Sequence, residues 1–138
     1  MVRDLVLYAH IIIGIALVIL PILIISQLKK RNPSSARTLS LLTATLSWLL
    51  LIPAGYLYII FYPATKTLIL AGTSTWAHEI VMETKEHWGI LLPMITTVAT
   101  FLVYNDKFNE SKKWWVLTAI LSLLIGIMGR IIVMGAGL

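Results

Sequence analysis

The sequence predicts an all-α integral membrane protein, an antiparallel four-helix transmembrane bundle with both termini on the outer side, and three observations carry that prediction. Apolar residues fill 59% of 138 positions and charged residues 12%, a balance too apolar for a water-soluble domain of this size. The apolar stretches divide into four runs, each long enough at about 1.5 Å per residue to cross a hydrocarbon core about 30 Å thick. Lys29, Lys30, Arg31 and Arg37 crowd the first connection and Lys107, Lys112 and Lys113 the third. Positive charge of that kind marks cytoplasmic loops, which leaves both termini outside.

The elements follow in order within one domain, residues 1–138. The first helix is expected over about residues 5–28, stopped by charge and a helix breaker at Lys29-Lys-Arg-Asn-Pro33. Pro21 is a candidate kink. The second is expected over about residues 38–62, with Ser34 or Ser35 as N-cap and Tyr56, Tyr58 and Tyr62 as an outer aromatic belt. Residues 63–75 form the longest connection, whose Leu68-Ile-Leu-Ala71 patch should lie on the outer interface. The third helix, about residues 75–104, overshoots the bilayer and begins with a polar head. The fourth is expected over about residues 114–138, anchored at its inner end by Trp114-Trp115. Ala119, Ser122, Gly126 and Gly129 give it a stripe of small residues that allows close approach.

Composition excludes several classes. The chain has no cysteine, which removes disulfides, thiolate-bound zinc, iron–sulfur clusters and covalently attached haem. The N-terminal run is longer than a signal-peptide core and reads as a first span. The net charge of +5 sits in the two basic loops, so no nucleic-acid partner is expected. No nucleophile with its base and no phosphate loop is present. No catalytic residue is therefore assigned; an electron carrier or a subunit fits better than a stand-alone enzyme. The expected location is the plasma membrane of a prokaryote.

Function is sought in the polar head of the third helix, Trp76-Ala-His-Glu-Ile-Val-Met-Glu-Thr-Lys-Glu-His-Trp-Gly89, because ionisable groups inside a membrane are costly and mark sites. Counted from the cytoplasmic helix ends, His10, Tyr56, His87 and Arg130 all fall about 24 to 27 Å up, which predicts one layer near the outer boundary of the apolar core. Glu79, Glu83 and His87 recur every four residues and share one face, with Glu86 beside them. His78, Met82, Lys85 and Glu86 form the neighbouring stripe. His78 is expected in solvent and Lys85 among lipid headgroups.

The first functional expectation is a b-type haem for electron transfer, held axially by His10 and His87 from diagonally opposed helices. Gly14, one turn below His10, with Gly89 and Gly126, would admit the flat ring. Arg130 would neutralise a propionate, and Glu83 would orient His87 or take up protons. These residues, histidines on alternate helices with glycines beside them and an arginine near the outer end, resemble four-helix membrane cytochromes of the b type. The resemblance implies a haem exchanging electrons with a quinone or a larger respiratory complex. With one histidine pair instead of two stacked pairs, a single haem would serve the outer half alone.

Two other expectations use the same residues. His10, His87, Glu83 and Glu79 are candidate ligands of a non-haem metal, copper, iron or zinc, with Met82 as a soft extra donor to copper. A histidine beside a carboxylate also suits quinone or proton chemistry, Trp76 and Trp88 supplying pocket walls. Beside these stands a small accessory subunit of a larger complex, or of a homo-oligomer, in which Arg130 pairs with Glu83 or Glu79 and only fixes helix register.

Overall fold

The computed structural model describes residues 1–138, and helices account for nearly all of them. Helix α1 is Val2–Lys29 and α2 is Pro33–Tyr56, continued through a wide π turn at Leu57–Phe61 into α3, Tyr62–Ala71. A second wide turn, Ala77–Met82, leads into α4, Glu83–Tyr104, and α5 is Phe108–Gly135. Four continuous helical stretches, Val2–Lys29, Pro33–Ala71, Ala77–Tyr104 and Phe108–Gly135, are long and apolar enough to cross a membrane.

Local chemistry sets the helix ends. Asn32 caps α2, its side-chain oxygen accepting from the Ser35 N–H at 3.2 Å, with Pro33 in the first turn where its missing N–H costs nothing. The second helix therefore begins five residues before the expected Thr38. Three helices share one terminator: a left-handed residue follows the C-cap, and the next two N–H groups bond back into the last turn. Arg31 ends α1 at φ 55°, Asp106 ends α4 at φ 58° and Gly137 ends α5 at φ 73°. Asn32 N–H reaches Gln27 O at 3.0 Å, Lys107 N–H reaches Leu102 O at 2.9 Å and Leu138 N–H reaches Val133 O at 3.2 Å.

Helix α1 packs on α2 and α5, and α4 packs on the same two, whereas α1 and α4 make no close approach. Hydrogen bonds give the direction of α2 against α4. Ser47 and Thr96 hydroxyls meet at 2.7 Å, Trp48 Nε1–H donates to Thr97 at 3.1 Å, and the Thr100 hydroxyl donates to Ser40 O at 3.0 Å. At the end of the pair, Arg37 bridges to Asp106 at 2.7 Å. The two helices therefore run antiparallel.

The interior is a stack of three clusters. Ile24, Leu28, Ala36, Ala99, Val103 and Trp115 fill the end with the basic connections, and Leu17, Leu92 and Leu121 fill the middle. Tyr62, Ile69, Ala77, Val81, Met82 and Ile132 fill the far end. Between them lie buried hydroxyls, among them Ser40, Thr43, Thr118 and Ser122, while leucines and isoleucines in number face outward. Thr43 and Thr118 donate to the carbonyl one turn back, at 2.7 and 2.9 Å, so no hydroxyl proton of theirs is stranded.

Residues 63–71 correct the expected interfacial loop. Pro63 sits in the first turn of α3 and starts a helix instead of breaking one. Of the apolar patch, Ile69 is fully buried against the far cluster while Leu68 and Leu70 face out. Likewise α5 begins at Phe108, six residues before the expected position, because Asn109 to Lys113 are polar but not helix breakers.

Gly135 marks the closest packing of the far end. A Cβ there would stand 2.7 Å from the Ala77 Cβ, which has no flexible chain to yield. Gly135→Ala is expected to destabilise the protein by about 1–3 kcal/mol through overpacking. Gly126→Ala, whose Cβ meets nothing within 4 Å, should leave the thermal unfolding midpoint in detergent unchanged. Equal midpoints for the two variants would show that the α5 terminus does not pack there.

Candidate functional site

The polar residues divide between two faces of the third span. Glu79, Glu83 and His87 are exposed on its outer surface. The His87 ring nitrogen Nδ1 donates to its own helix at Glu83 O, 2.6 Å away. The neighbouring stripe turns inward: His78 is 8% exposed and Met82 7%, with Lys85 and Glu86 half-buried. The expectation of a solvated His78 is thereby corrected, because the wide turn at Ala77–Met82 carries that histidine under α3.

His10 lies on the inner side of α1, its Nδ1 buried without a hydrogen-bond partner. Its neighbour across the bundle is read from the core. Leu17 shares a cluster with Leu92, and Ile24 and Leu28 share one with Ala99 and Val103, a constant register. Carried two helical turns further, that register sets Gly14 level with Gly89 and His10 level with Lys85. Lys85 is within electrostatic reach of His10 and of Glu86. Its aliphatic chain lies against α5, with Cε 3.6 Å from where a Gly129 Cβ would stand. Glu86 Oε1 is a second buried atom without a partner, and the Tyr58 hydroxyl lies close to that carboxylate.

A second polar pair adjoins the first. The Tyr62 hydroxyl and His78 Nδ1 are 2.8 Å apart, both side chains buried, and Tyr58 stacks on Tyr62 with ring centroids 5.4 Å apart. The π turn at Leu57–Phe61 produces this arrangement. A wide turn inserts one residue into the helix, and beyond it Tyr62 is buried while Tyr58 stays exposed beside it.

The residues expected from sequence are thus not gathered in one place. His10 and Gly14 line the interior. His87, Glu83 and Glu79 face away from it. Arg130 is exposed and without an ion pair, since the salt bridges are those of the N-terminus with Asp4 and of Arg37 with Asp106. Tyr56 is exposed and makes an edge contact with Phe61 at 5.9 Å. Of the small-residue stripe on α5, Ser122 is buried and Gly129 meets Lys85, but Gly126 is exposed. No three His, Asp or Glu side chains converge as a metal site.

Chemically, the inner cluster offers an imidazole, an ammonium and a carboxylate, with the exposed Tyr58 phenol at its edge, hence donors and proton acceptors in one place. Gly14 and Gly89, one turn below His10 and Lys85, have nothing within 4 Å of their Cβ positions. Space therefore adjoins the unpartnered atoms, above the Leu17–Leu92–Leu121 cluster. No protein-family model, no curated protein and no solved structure matches this chain.

The Tyr62–His78 hydrogen bond has its own test. Tyr62→Phe strands a buried imidazole nitrogen and is expected to cost about 1–3 kcal/mol of stability. Tyr56→Phe removes an exposed hydroxyl and should cost nothing measurable. Thermal unfolding of both variants in detergent reads the difference, and an unchanged Tyr62→Phe midpoint would mean that the pair is not formed.

Proposed function

We propose that the chain is an electron-transfer subunit of a membrane redox system, and that its inner cluster of His10, Lys85 and Glu86, with exposed Tyr58 at the edge, binds a quinone headgroup. The observation that carries this reading is the pair of buried, unpartnered polar atoms, His10 Nδ1 and Glu86 Oε1, beside open space at Gly14 and Gly89. A stranded polar atom costs about 1–3 kcal/mol, and a ligand with hydrogen-bonding oxygens removes that cost. A quinone presents two carbonyl oxygens on a flat ring. Lys85 and His10 donate to them; Glu86, with Tyr58 beside it, takes up and delivers protons. Reduction to the quinol consumes two electrons and two protons, the electrons arriving from a partner redox protein in the same membrane.

Haem b is the second reading, favoured by the open space that the two glycines leave for a flat macrocycle. His10 is then the axial ligand from α1. His87 does not fit as its opposite, because it lies on the outer face of α4 and Lys85 stands across from His10. Arg130 and Tyr56, both exposed, fit the ring's periphery instead of the interior. For a non-haem metal the same His and Glu residues offer no convergent set.

Orientation belongs to the same proposal. The basic connections at residues 30–32 and 105–107 face the cytoplasm by the positive-inside rule. Both termini and the cluster then lie toward the outer face of a prokaryotic plasma membrane, in an antiparallel up-and-down bundle.

Organic extraction of the purified protein, with quinone quantified in the extract, and absorption spectra before and after dithionite test the assignment together. About one quinone per chain is expected by simple site stoichiometry, falling at least about tenfold in His10→Ala and Lys85→Met through the loss of hydrogen bonds to the ligand. Sharp haem bands that vanish in His10→Ala would transfer the site to haem. A colourless, quinone-free protein would overturn both and leave an accessory subunit whose polar layer serves assembly.

A further inference from the structure

At the opposite end from the cluster, two basic connections meet. The turn after α1 and the turn after α4 flank an open cleft of about 590 Å³ whose cations are Lys29, Arg31, Lys107 and Lys112. Two carboxylates share its wall. Asp106 is already engaged by Arg37 at 2.7 Å, so four cations face one unpaired carboxylate, Glu110. Lys112 is held in place, its Nζ donating to Asn109 Oδ1 at 3.3 Å.

Leu28 and Phe108 line this cleft and continue into an adjoining one of about 340 Å³, completed by Asn32 and Pro33, with Arg31 common to both. The combined groove is therefore charged at one end and largely apolar at the other. It is built by the two left-handed terminators, since Arg31 and Asp106 turn the chain where the helices stop. An inorganic anion would use the charged end alone. A phospholipid uses both, its phosphate among the cations and its glycerol and first acyl carbons over Leu28 and Phe108.

Location selects the same occupant. The groove opens at the rim of spans whose outward faces are leucine, isoleucine, phenylalanine and tryptophan. At that rim the most concentrated anion is the lipid headgroup itself. Basic pockets at the ends of membrane helices attract anionic headgroups by about 1 kcal/mol per cation near the surface.

We infer that this groove is a binding site for the headgroup of an acidic phospholipid, seated between the α1–α2 and α4–α5 connections. The inference is independent of the quinone reading, which concerns the other end of the molecule.

The test uses the full chain in bilayers of phosphatidylcholine with phosphatidylglycerol, followed by native mass spectrometry of the lipid retained. Lys107→Gln/Lys112→Gln is expected to lower retained phosphatidylglycerol about 10- to 30-fold, two cations' worth of attraction. Lys30→Gln/Lys113→Gln removes equal charge from the same connections but not from the groove, and should retain lipid as the parent does. Equal loss in both variants would mean diffuse surface attraction, and no loss in either would mean no site; both outcomes overturn the assignment. Excess inorganic phosphate should leave the lipid bound. Its displacement by phosphate would make the groove a small-anion site instead.

Discussion

Every span in this protein turns a face of large apolar side chains outward, consistent with contact to a bilayer, and the rotation of each helix is set by which side carries its polar and small residues. In water the outer face would be polar; here leucine and isoleucine cover the outside, and inside, hydroxyls lie among the apolar clusters. The interior sides follow an alternating three-and-four spacing. On α1 that seam is His10, Gly14, Leu17, Pro21, Ile24 and Leu28; on α5 it is Ser111, Trp115, Thr118, Ser122, Ile125, Gly129 and Ile132. Small residues let the backbones approach, and the buried hydroxyls other than that of Ser122 satisfy themselves on the preceding turn or across to the partner helix.

The polar cluster is the outcome of the same rotation carried upward. The α4 seam runs Val103, Ala99, Thr96, Leu92, Gly89 and then Lys85, so a helix oriented by its lower half delivers an ammonium to the interior at its upper half. His87, two residues on, is turned by about 200° at about 100° per residue and reaches the outer surface. Burying Lys85 and Glu86 is costly where only part of their hydrogen-bonding capacity is met. A chain that needed only to span would have leucine at both positions, and the proposal of a ligand site rests on that contrast.

The four spans and the two basic connections were legible in the sequence, because length, apolarity and loop charge act additively over many residues. The proline at position 63 and the charges of residues 109–113 misled at the borders, since a helix tolerates both in its first turns. The facing of the third helix was harder. Glu79, Glu83 and His87 form a regular ladder, but regularity shows only that residues share a face, not which face. The deciding signal was present lower in the helix: Leu92, Thr96 and Ala99 continue upward to Lys85, whereas the ladder continues downward to exposed Ile90, Met94 and Val98. Tyr62 carried no such signal, because the wide turn at Leu57–Phe61 changes the helix count ahead of it. Counting at 3.6 residues per turn assigns it to the aromatic belt.

The inward placement of Lys85 and the outward placement of His87 decide the chemistry of the site, and oxygen accessibility of spin labels measures that directly. Single cysteines at positions 83 to 92, introduced into this naturally cysteine-free chain and labelled in lipid bilayers, should show collision with dissolved oxygen that peaks at 83, 87 and 90–91. Minima are expected at 85, 89 and 92. The opposite phase, with 87 protected and 85 in lipid, would contradict the account and set His87 across from His10.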